Sequence, residues 1–362
     1  MNKPLMYIAT IAALALTVFA PSGFAADDSK AASGDGHSIP KAAVITMGDR
    51  DHNMVGIHLT TYALEQMLPK LEEELGTDGS GVVVLRFTSG GGYGVEVDRM
   101  VETIETQYKP KFRVVSWIDS AISAAAMTSH CVEEIYFTTQ GNYGSCTGYR
   151  GAMDAVKGVE LEIALQRMEK ISAKGGYDTR IMRSMQILAP LSATRRADGS
   201  FEYYQDTKSG EIVVNPEERV LCFNAESAKQ VGFSKGTADS LSELTTKLGF
   251  KELNWVGKQE KGVSWPVSKA EKWNMDWRKR VADAETDFRT LLAKIDMQVA
   301  AATAAARADR PKFVGLARET LRKMKRHVDN NPNFSYFEFN RTPEEFNEWY
   351  KKTDKQLRDL LK

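Results

Sequence analysis

One serine stands where a nucleophile could act. Ser123 lies between an apolar segment, residues 114–118, and a run of small residues at 124–126. About thirty residues earlier, a second apolar segment ends in the glycine-rich sequence TSGGG at 88–92. A hydroxyl at the start of a helix, facing a glycine turn with bare backbone N–H groups, is what acyl transfer to water requires. The pattern therefore predicts a serine hydrolase with Ser123 as the nucleophile.

Serine in this position also has an ordinary structural use. Its hydroxyl can cap a helix by accepting a hydrogen bond from a backbone N–H of the first turn. Ser120 and Ser129 lie nearby, but neither has the Ser-Ala-Ala context of Ser123. The two interpretations of Ser123, nucleophile and helix cap, stay open on the sequence alone.

The elements that must position these residues alternate along the first half of the chain. Apolar runs bounded by turn-forming residues predict strands over 42–47, 82–87, 113–117 and 134–137. Apolar residues at helical spacing predict helices over 60–75, 94–108 and 122–131. Alternating strands and helices indicate an α/β fold of parallel units, with sites at the carboxyl ends of the strands.

The second half of the chain has a different pattern. A long helix is predicted over 158–188, interrupted at Gly175-Gly176, and a turn sequence at 207–210 predicts a hairpin of strands 201–204 and 211–214. Helices follow at 225–231, 240–248, 269–307, 312–328 and 342–361. We expect the last three to form a helical hairpin packed on the body or on a neighbouring subunit. The basic cluster at 318–327 is either a solvated helix face or a site for an acidic partner.

The amino terminus has the pattern of a secretory signal peptide. Lys3 precedes an apolar run at 5–20, and small residues follow before the polar segment that starts at Asp27. We expect cleavage after Ala25, a flexible lead-in over 26–40 and an exported chain, periplasmic or secreted. An uncleaved anchor that holds the protein at the membrane is the alternative, although the apolar run is short for a span.

Charge and cysteine content narrow the partners. The chain has 362 residues with 48 basic and 48 acidic side chains, so no overall field favours nucleic acid. Cys131, Cys146 and Cys222 could form one disulfide after export, or remain as buried free thiols. No CxxC motif or Cys/His cluster predicts a metal site.

The order of these motifs resembles that of the Clp protease proteolytic subunit and crotonase superfamily. Within it, the chain is most similar to signal peptide peptidase A and the membrane-bound Clp-like serine proteases of bacteria. The likeness is carried by SGGG at 89–92, AISAA at 121–125, EIYF at 134–137, GSCTG at 144–148 and NAESAKQVGF at 224–233. It implies a Clp/crotonase-like superhelix of β-β-α units, a protease domain over 41–250 and a helical C-terminal extension over 251–362.

The resemblance also implies an oxyanion hole made by backbone N–H groups. It places these groups on Gly92, with Gly91 beside it, and on Ala124. Glycine suits the first position because a close substrate leaves no room for a side chain. Gly90 departs from the family, which usually has proline there, and a plain strand-to-helix glycine turn is the alternative interpretation.

The resemblance assigns the general base to a lysine. A Ser-His-Asp triad would need a histidine about 25 residues past Ser123, where Gly148 stands, and His130 would lie two turns away on the same helix. The peptidase branch uses a lysine instead, provided that burial keeps the amine neutral. Of Lys157, Lys170 and Lys174, the sequence context favours Lys174, with Lys170 in reserve. A solvated helix lysine is the competing interpretation of either residue.

Together these features predict an exported serine endopeptidase that uses a Ser-Lys dyad and needs no cofactor. The family implies peptide or membrane-protein segments as substrates and a homo-oligomer that encloses the sites. The main alternative is a catalytically inactive Clp-like scaffold that binds a partner. A crotonase-type acyl-CoA enzyme is a third reading, disfavoured by export and by the lack of a glutamate pair at the glycine turn.

Overall fold

The computed structural model describes residues 39–150 and 154–362. The expected signal peptide at 1–25, its alternative as an anchor and nearly all of the lead-in lie outside the described residues. The side chains of Arg150 and Asp154 are likewise not described.

The strands and helices alternate in the first half of the chain, and helices dominate the second. The strands are β1 (Lys41–Met47), β2 (Met54–Val55), β3 (Val82–Ser89), β4 (Gly91–Gly92), β5 (Arg113–Ile122), β6 (Ile135–Gly144), β7 (Tyr149–Arg150), β8 (Asp154–Ala155), β9 (Leu191–Arg195), β10 (Phe201–Tyr204), β11 (Ile212–Asn215), β12 (Cys222–Asn224), β13 (Gly236–Thr237), β14 (Asn254–Trp255), β15 (Lys258–Gln259) and β16 (Pro266–Val267). The helices are α1 (Thr61–Leu75), α2 (Gly94–Thr103, continued by a π-helical turn over Ile104–Tyr108), α3 (Ala124–Ser129), α4 (Gly158–Lys174), α5 (Thr179–Gln186), α6 (Ala225–Gln230), α7 (Leu241–Lys247), α8 (Lys269–Ala304), α9 (Arg310–Asn330), α10 (Asn333–Phe337) and α11 (Pro343–Asp359).

A mostly parallel sheet forms the centre of the fold. Its strand order is β12-β6-β5-β3-β1-β14, with β13 also paired to β6, and only β12 runs antiparallel to its neighbour. Nearly every residue of β3 is buried, as expected for a strand covered on both faces. Helices α1, α2, α3 and α8 contribute to the large core cluster on one face, and α7 covers a smaller cluster on the other. The predicted α/β class is confirmed.

Two central strands are longer than the sequence predicted. β5 continues to Ile122 and β6 to Gly144, each after a register shift in its pairing. The irregularities follow Ile118 in β5 and Phe87 in β3, where the strands bend without ending. As a result the chain is still extended when it reaches Ser123, and helix α3 is shorter than expected.

The predicted hairpin of 201–204 and 211–214 is wrong. β10 and β11 both exist, but each pairs with β9, which lies between them in a three-stranded sheet. The Asp206 carboxylate accepts hydrogen bonds from the N–H groups of Lys208 and Ser209, which makes a local turn inside a wider loop. Gly210 then packs against the backbone of β9, and its N–H donates to the Ser192 hydroxyl at 3.0 Å. The turn sequence is local, whereas the position of β9 between the two arms depends on pairing with a segment earlier in the chain.

The last hundred residues form helices that pack on the body of the same chain. This was one of the two expected arrangements, the other being packing on a neighbouring subunit. α8 and α9 pack side by side, and α8 also contacts α1 and β1. The buried Trp277 of α8 donates its ring N–H to the Asn330 carbonyl at 3.0 Å. The segment after residue 250 also supplies β14, which pairs in parallel with β1. None of the helices within residues 39–150 and 154–362 has the length and apolar character needed to cross a bilayer.

Candidate active site

Ser123 lies at a sharp turn between β5 and α3. Its backbone angles are φ 55° and ψ −125°, a region that residues with side chains rarely adopt. Such a conformation costs about 1–3 kcal/mol and persists only where the surroundings enforce it. In the described chain the Ser123 hydroxyl makes no capping hydrogen bond to α3. The helix-cap interpretation of Ser123 is therefore not supported, and its hydroxyl is left for another role.

The backbone of Ser123 is fixed from three sides. Its N–H donates to the Gly144 carbonyl at 2.9 Å, and its carbonyl accepts the Met127 N–H at 3.0 Å. The Cys146 thiol also points at the Ser123 carbonyl, with Sγ 3.6 Å from the oxygen. Burial raises the pKa of the Cys146 thiol, which keeps it protonated as a weak donor. These contacts hold the strained turn in place.

The two competing serines are both engaged elsewhere. Ser120 donates its hydroxyl to the Asn142 side-chain oxygen at 2.9 Å. Ser129 is buried, and its hydroxyl oxygen lies 3.1 Å from both the Ala126 carbonyl oxygen and the Tyr143 hydroxyl, the two acceptors available to its one proton. Of the three serines, Ser123 alone is half-buried at a strained strand-to-helix turn.

The glycine turn lies directly against Ser123. A methyl group on Gly91 would sit 2.6 Å from the Ser123 Cβ atom and 3.2 Å from its Oγ. The Gly91 N–H donates to the Ser89 hydroxyl at 3.1 Å, and that hydroxyl donates in turn to the Asn53 carbonyl. The Gly91 N–H is thus already bonded, which is unfavourable for its predicted part in an oxyanion hole.

The other two predicted oxyanion donors are placed by strand and helix. Gly92 has φ 153° and lies so close to the Val55 backbone that no side chain would fit. Ala124 is the first residue of α3, where backbone N–H groups have no intrahelical partner. Both residues therefore flank the turn that carries Ser123, one on the glycine side and one on the helix side.

Lys174 does not lie where a Ser-Lys dyad requires it. It is the last residue of α4, its side chain is 38% exposed, and its ammonium lies 3.9 Å from the Glu102 carboxylate. The next residue, Gly175, packs against the carbonyl of His130, which follows the C-terminal end of α3. Ser123 is at the opposite end of that helix. This position is unfavourable for Lys174 as the base, because α4 ends beside the C-terminal end of α3 and Ser123 lies at the N-terminal end.

The other two lysines are exposed as well. Lys170 lies one turn before Lys174 on the same helix, and its side chain is exposed. Lys157 directly precedes α4, and the N–H of the neighbouring Val156 donates to the Gly148 carbonyl at 3.0 Å. Within residues 39–150 and 154–362, no lysine amine makes a hydrogen bond to the Ser123 hydroxyl.

His130 is a buried structural residue, as its rejection as a base implied. One ring nitrogen lies 2.9 Å from the Tyr143 hydroxyl and the other 2.9 Å from the Ser172 hydroxyl. Burial lowers the pKa of His130 to about 3, so the ring is neutral at physiological pH. Its role is to join α3, β6 and α4 through hydrogen bonds.

The cysteines are free. All three lie within the described residues, and none forms a disulfide: Cys131 and Cys146 are buried and Cys222 is exposed. The expectation of buried free thiols holds for the first two, and the alternative of a disulfide is not supported.

A cleft opens next to Gly92. Its volume is about 580 Å³, and its walls come from Tyr93 beside the glycine turn, Tyr149 of β7, and Tyr336 and Phe337 of α10. The sequence predicted no site residue in NPNFSYF at 331–337, which lies between the helices predicted at 312–328 and 342–361. Its cluster of aromatic residues in a polar stretch was the available signal.

Comparisons with known proteins place this geometry in context. No protein-family model matches the chain. Over 171 residues it is 28% identical to the membrane protein NfeD1b of Bacillus subtilis (strain 168), a match that covers 47% of this chain and 34% of that protein. The chain thus spans about a third of the length of this relative.

Solved structures similar to this chain include the following three. Two are variants of the 1510-N membrane-bound stomatin-specific protease. The serine-to-alanine variant has 14% identity and a TM-score of 0.40, and the match covers 58% of this chain and 86% of that chain. The lysine-to-alanine variant, in complex with a substrate peptide, has 15% identity and a TM-score of 0.40, and the match covers 58% of this chain and 81% of that chain. The third is ClpP1 from Listeria monocytogenes, with 14% identity and a TM-score of 0.35, and the match covers 56% of this chain and 94% of that chain. The α/β class itself follows from the parallel sheet.

Proposed function

We propose that this protein is a serine hydrolase that cleaves peptide bonds with Ser123 as the nucleophile. The observation that carries the proposal is the backbone of Ser123, strained at the turn from β5 to α3 while its hydroxyl caps nothing within the described chain. A strained strand-to-helix turn is how hydrolases expose a nucleophilic serine at the edge of a sheet. Strain of this kind is retained where function requires it.

The proposed chemistry uses backbone groups on both sides of Ser123. A base removes the hydroxyl proton, and the Ser123 oxygen attacks the peptide carbonyl. The N–H groups of Gly92 and Ala124 hold the oxyanion that forms. The amine fragment leaves with the proton from the base, and water then releases the acyl group from the serine.

We assign the base to Lys157. Val156 is hydrogen-bonded to Gly148, and Gly148 belongs to the loop that begins at Gly144, the residue that holds the Ser123 N–H. Lys157 is thus the candidate lysine joined to Ser123 by a short series of backbone contacts. In apo structures catalytic hydrogen bonds are often not yet formed, so exposure does not exclude this role.

A lysine base must lose its charge, and in this proposal that requires a cover over Lys157. A bound peptide or a neighbouring subunit over the 144–148 loop would remove water from the amine. A homo-oligomer that covers this loop would meet the requirement, and sedimentation analysis of the full chain tests whether one forms. If the protein is a monomer with full peptidase activity, the bound peptide is the only group left that could cover Lys157.

The strand β4 is suited to hold the substrate backbone. In the part of the chain that the structure describes, β4 pairs only with β2, so its other edge is unpaired. An extended peptide can add to such an edge through main-chain hydrogen bonds. That placement would bring a peptide carbonyl alongside Ser123, because Gly91 of β4 lies against it.

The deciding experiment compares cleavage of casein and of a signal-peptide segment by matched variants. Ser123→Ala should lower cleavage by about a thousandfold or more, and Lys157→Ala by about 10²- to 10⁴-fold, the usual contribution of a general base. Lys174→Ala and Lys170→Ala serve as controls and should stay within about twofold of the wild type. Equal cleavage by wild type and Ser123→Ala would overturn the proposal.

A scaffold without hydrolysis is the second candidate, favoured by the exposure of Lys157, Lys170 and Lys174. A fluorophosphonate probe separates the two functions, because it reacts only with an activated serine. Labelling that disappears in Ser123→Ala supports the hydrolase. Absence of labelling in the assembled wild-type protein supports the scaffold.

Export and membrane proximity belong to the same proposal. The match to a protein named as a membrane protein and the signal-like amino terminus support them. Sequencing the amino terminus of the chain after expression in a bacterial host tests export. A new terminus at Ala26 supports a cleaved signal peptide, and an intact Met1 in the membrane fraction supports an anchor.

A further inference from the structure

The C-terminal segment around α10 forms one wall of the cleft beside the glycine turn. We propose that α10 selects peptide substrates with an aromatic or large aliphatic side chain close to the scissile bond, through Tyr336. This inference rests on the proposed hydrolysis at Ser123 and adds a specificity residue from outside the region of resemblance.

The segment is fastened to the loop that supports the glycine turn. Asn331 is buried and donates its side-chain amide to the Ile57 carbonyl at 2.9 Å. Asn333 donates in the same way to the Gly56 carbonyl at 2.9 Å. Gly56 adjoins Val55, whose strand β2 pairs with β4. The two amides therefore tie α10 to the same small sheet that presents Gly92.

Aromatic contacts fix the wall itself. The ring of Phe337 stacks on that of Tyr93 with centroids 3.7 Å apart, and Tyr336 meets Phe337 edge-on at 5.0 Å. A methyl group on Gly56 would lie 3.0 Å from both the Phe337 and the Tyr93 rings. The Arg289 guanidinium of α8 also pairs with Glu338 through two hydrogen bonds of 2.8 and 2.9 Å. The wall is thus held rigidly before any ligand arrives.

The chemistry of the cleft points to an apolar side chain as the occupant. Tyr336 is 46% exposed and Tyr149 is 53% exposed, and both line the cleft with Gly92. Binding an apolar side chain over these exposed aromatic rings removes apolar surface from water, which lowers the free energy. A cleft of about 580 Å³ has room for a large side chain of an extended peptide bound along β4.

The test uses two peptides that differ only in carrying Phe or Ser beside the scissile bond. We expect the wild type to cleave the Phe peptide with a kcat/KM at least tenfold higher. Tyr336→Ala should remove most of this preference by lowering kcat/KM for the Phe peptide. Tyr336→Phe should keep the preference. Leu316→Ala, an exposed apolar change on α9 away from the cleft, is the matched control and should change neither peptide.

An unchanged Phe-to-Ser ratio in Tyr336→Ala, with Ser123 still labelled by the fluorophosphonate, would overturn this inference while leaving the hydrolase intact. If neither labelling nor cleavage occurs, the proposed hydrolysis is wrong. A peptide-binding measurement then tests whether Tyr336 selects an apolar side chain. The fluorescent Phe peptide should then bind Ser123→Ala at least about tenfold more tightly than the Ser peptide, and the added Tyr336→Ala change should remove the difference. Equal binding of both peptides to Ser123→Ala would contradict the specificity wall.

Discussion

Gly91 and Ser123 lie so close together that the structure leaves no space for a β-carbon on Gly91. A methyl group there would sit 2.6 Å from the Ser123 Cβ atom, and Gly91 has φ 103°. Gly91→Ala should therefore displace Ser123 and lower fluorophosphonate labelling by about 10²-fold or more, since small misplacements of reacting groups are costly. Fluorophosphonate labelling rates of Gly91→Ala and the wild type, measured at equal protein concentration, check this prediction.

Gly90 provides the matched control for that prediction. Apart from Gly90 itself and its two neighbours in sequence, no described residue has an atom within 4 Å of a methyl group placed on Gly90. Gly90→Ala should leave labelling within about twofold and raise stability by about 0.4–1 kcal/mol, because alanine restricts the unfolded chain. If both alanine variants lost labelling equally, the glycine turn as a whole, rather than the contact of Gly91, would control the site.

The strain at Ser123 predicts that glycine at this position gives a more stable folded chain than alanine does. Ser123→Gly should be more stable than Ser123→Ala by about 1 kcal/mol, because glycine adopts a positive φ freely and alanine does not. Both variants should be inactive, since both lack the hydroxyl. Urea unfolding of the two variants measures the difference. Equal stabilities would contradict the assigned strain.

Acid should destabilise the protein through its buried histidines. Burial lowers the pKa of His130 to about 3 and that of His58 to about 4, from an unfolded value near 6.5. Between these values the unfolded chain binds more protons than the folded chain, so stability is greatest above about pH 6.5 and falls as the pH decreases. Urea midpoints at pH 7.5 and 5.0 should show this loss.

Removing His130 should reduce the pH dependence even if it lowers stability overall. His130→Gln retains hydrogen-bonding groups near Tyr143 and Ser172 but does not titrate. The difference between its midpoints at pH 7.5 and 5.0 should be smaller than in the wild type. An unchanged difference would assign the acid sensitivity to other groups.

The attachment of α10 should depend on Asn331. Its side-chain amide satisfies the Ile57 carbonyl, and Asn331 is fully buried. Asn331→Ala should cost about 1–3 kcal/mol, because a buried acceptor loses its partner. Asn333→Ala, at a half-buried position with the same kind of bond, should cost less. Urea unfolding ranks the two variants, and limited proteolysis near α10 shows whether the attachment is lost.

Local patterns predicted most of the secondary structure. The apolar runs gave β1 and β3 nearly to the residue, and Thr60, Asn224 and Ser240 cap the helices that were expected after them. The errors lie where pairing between distant segments decides. β5 and β6 extend because neighbouring strands pair with their polar ends, and β9 enters between β10 and β11.

The site shows the same division. The sequence predicted Ser123 from its small-residue context at a strand-to-helix junction, and the family resemblance added Gly92 and Ala124. It chose Lys174 as base on local context, but α4 carries that residue to the far end of α3. The direction of a helix across a sheet depends on packing along its whole length, which no short motif contains.

The sequence by itself determined the α/β class, the order of the elements and the residues at the turn that carries Ser123, because these depend on local hydrophobic periodicity and on glycine. Only the tertiary structure placed Lys174 beside the C-terminal end of α3, away from Ser123, and showed that α10 lines the cleft beside Gly92. Those relationships join segments as far apart as Gly56 and Asn333. They arise from side-chain packing and hydrogen bonds that form only when the chain is folded.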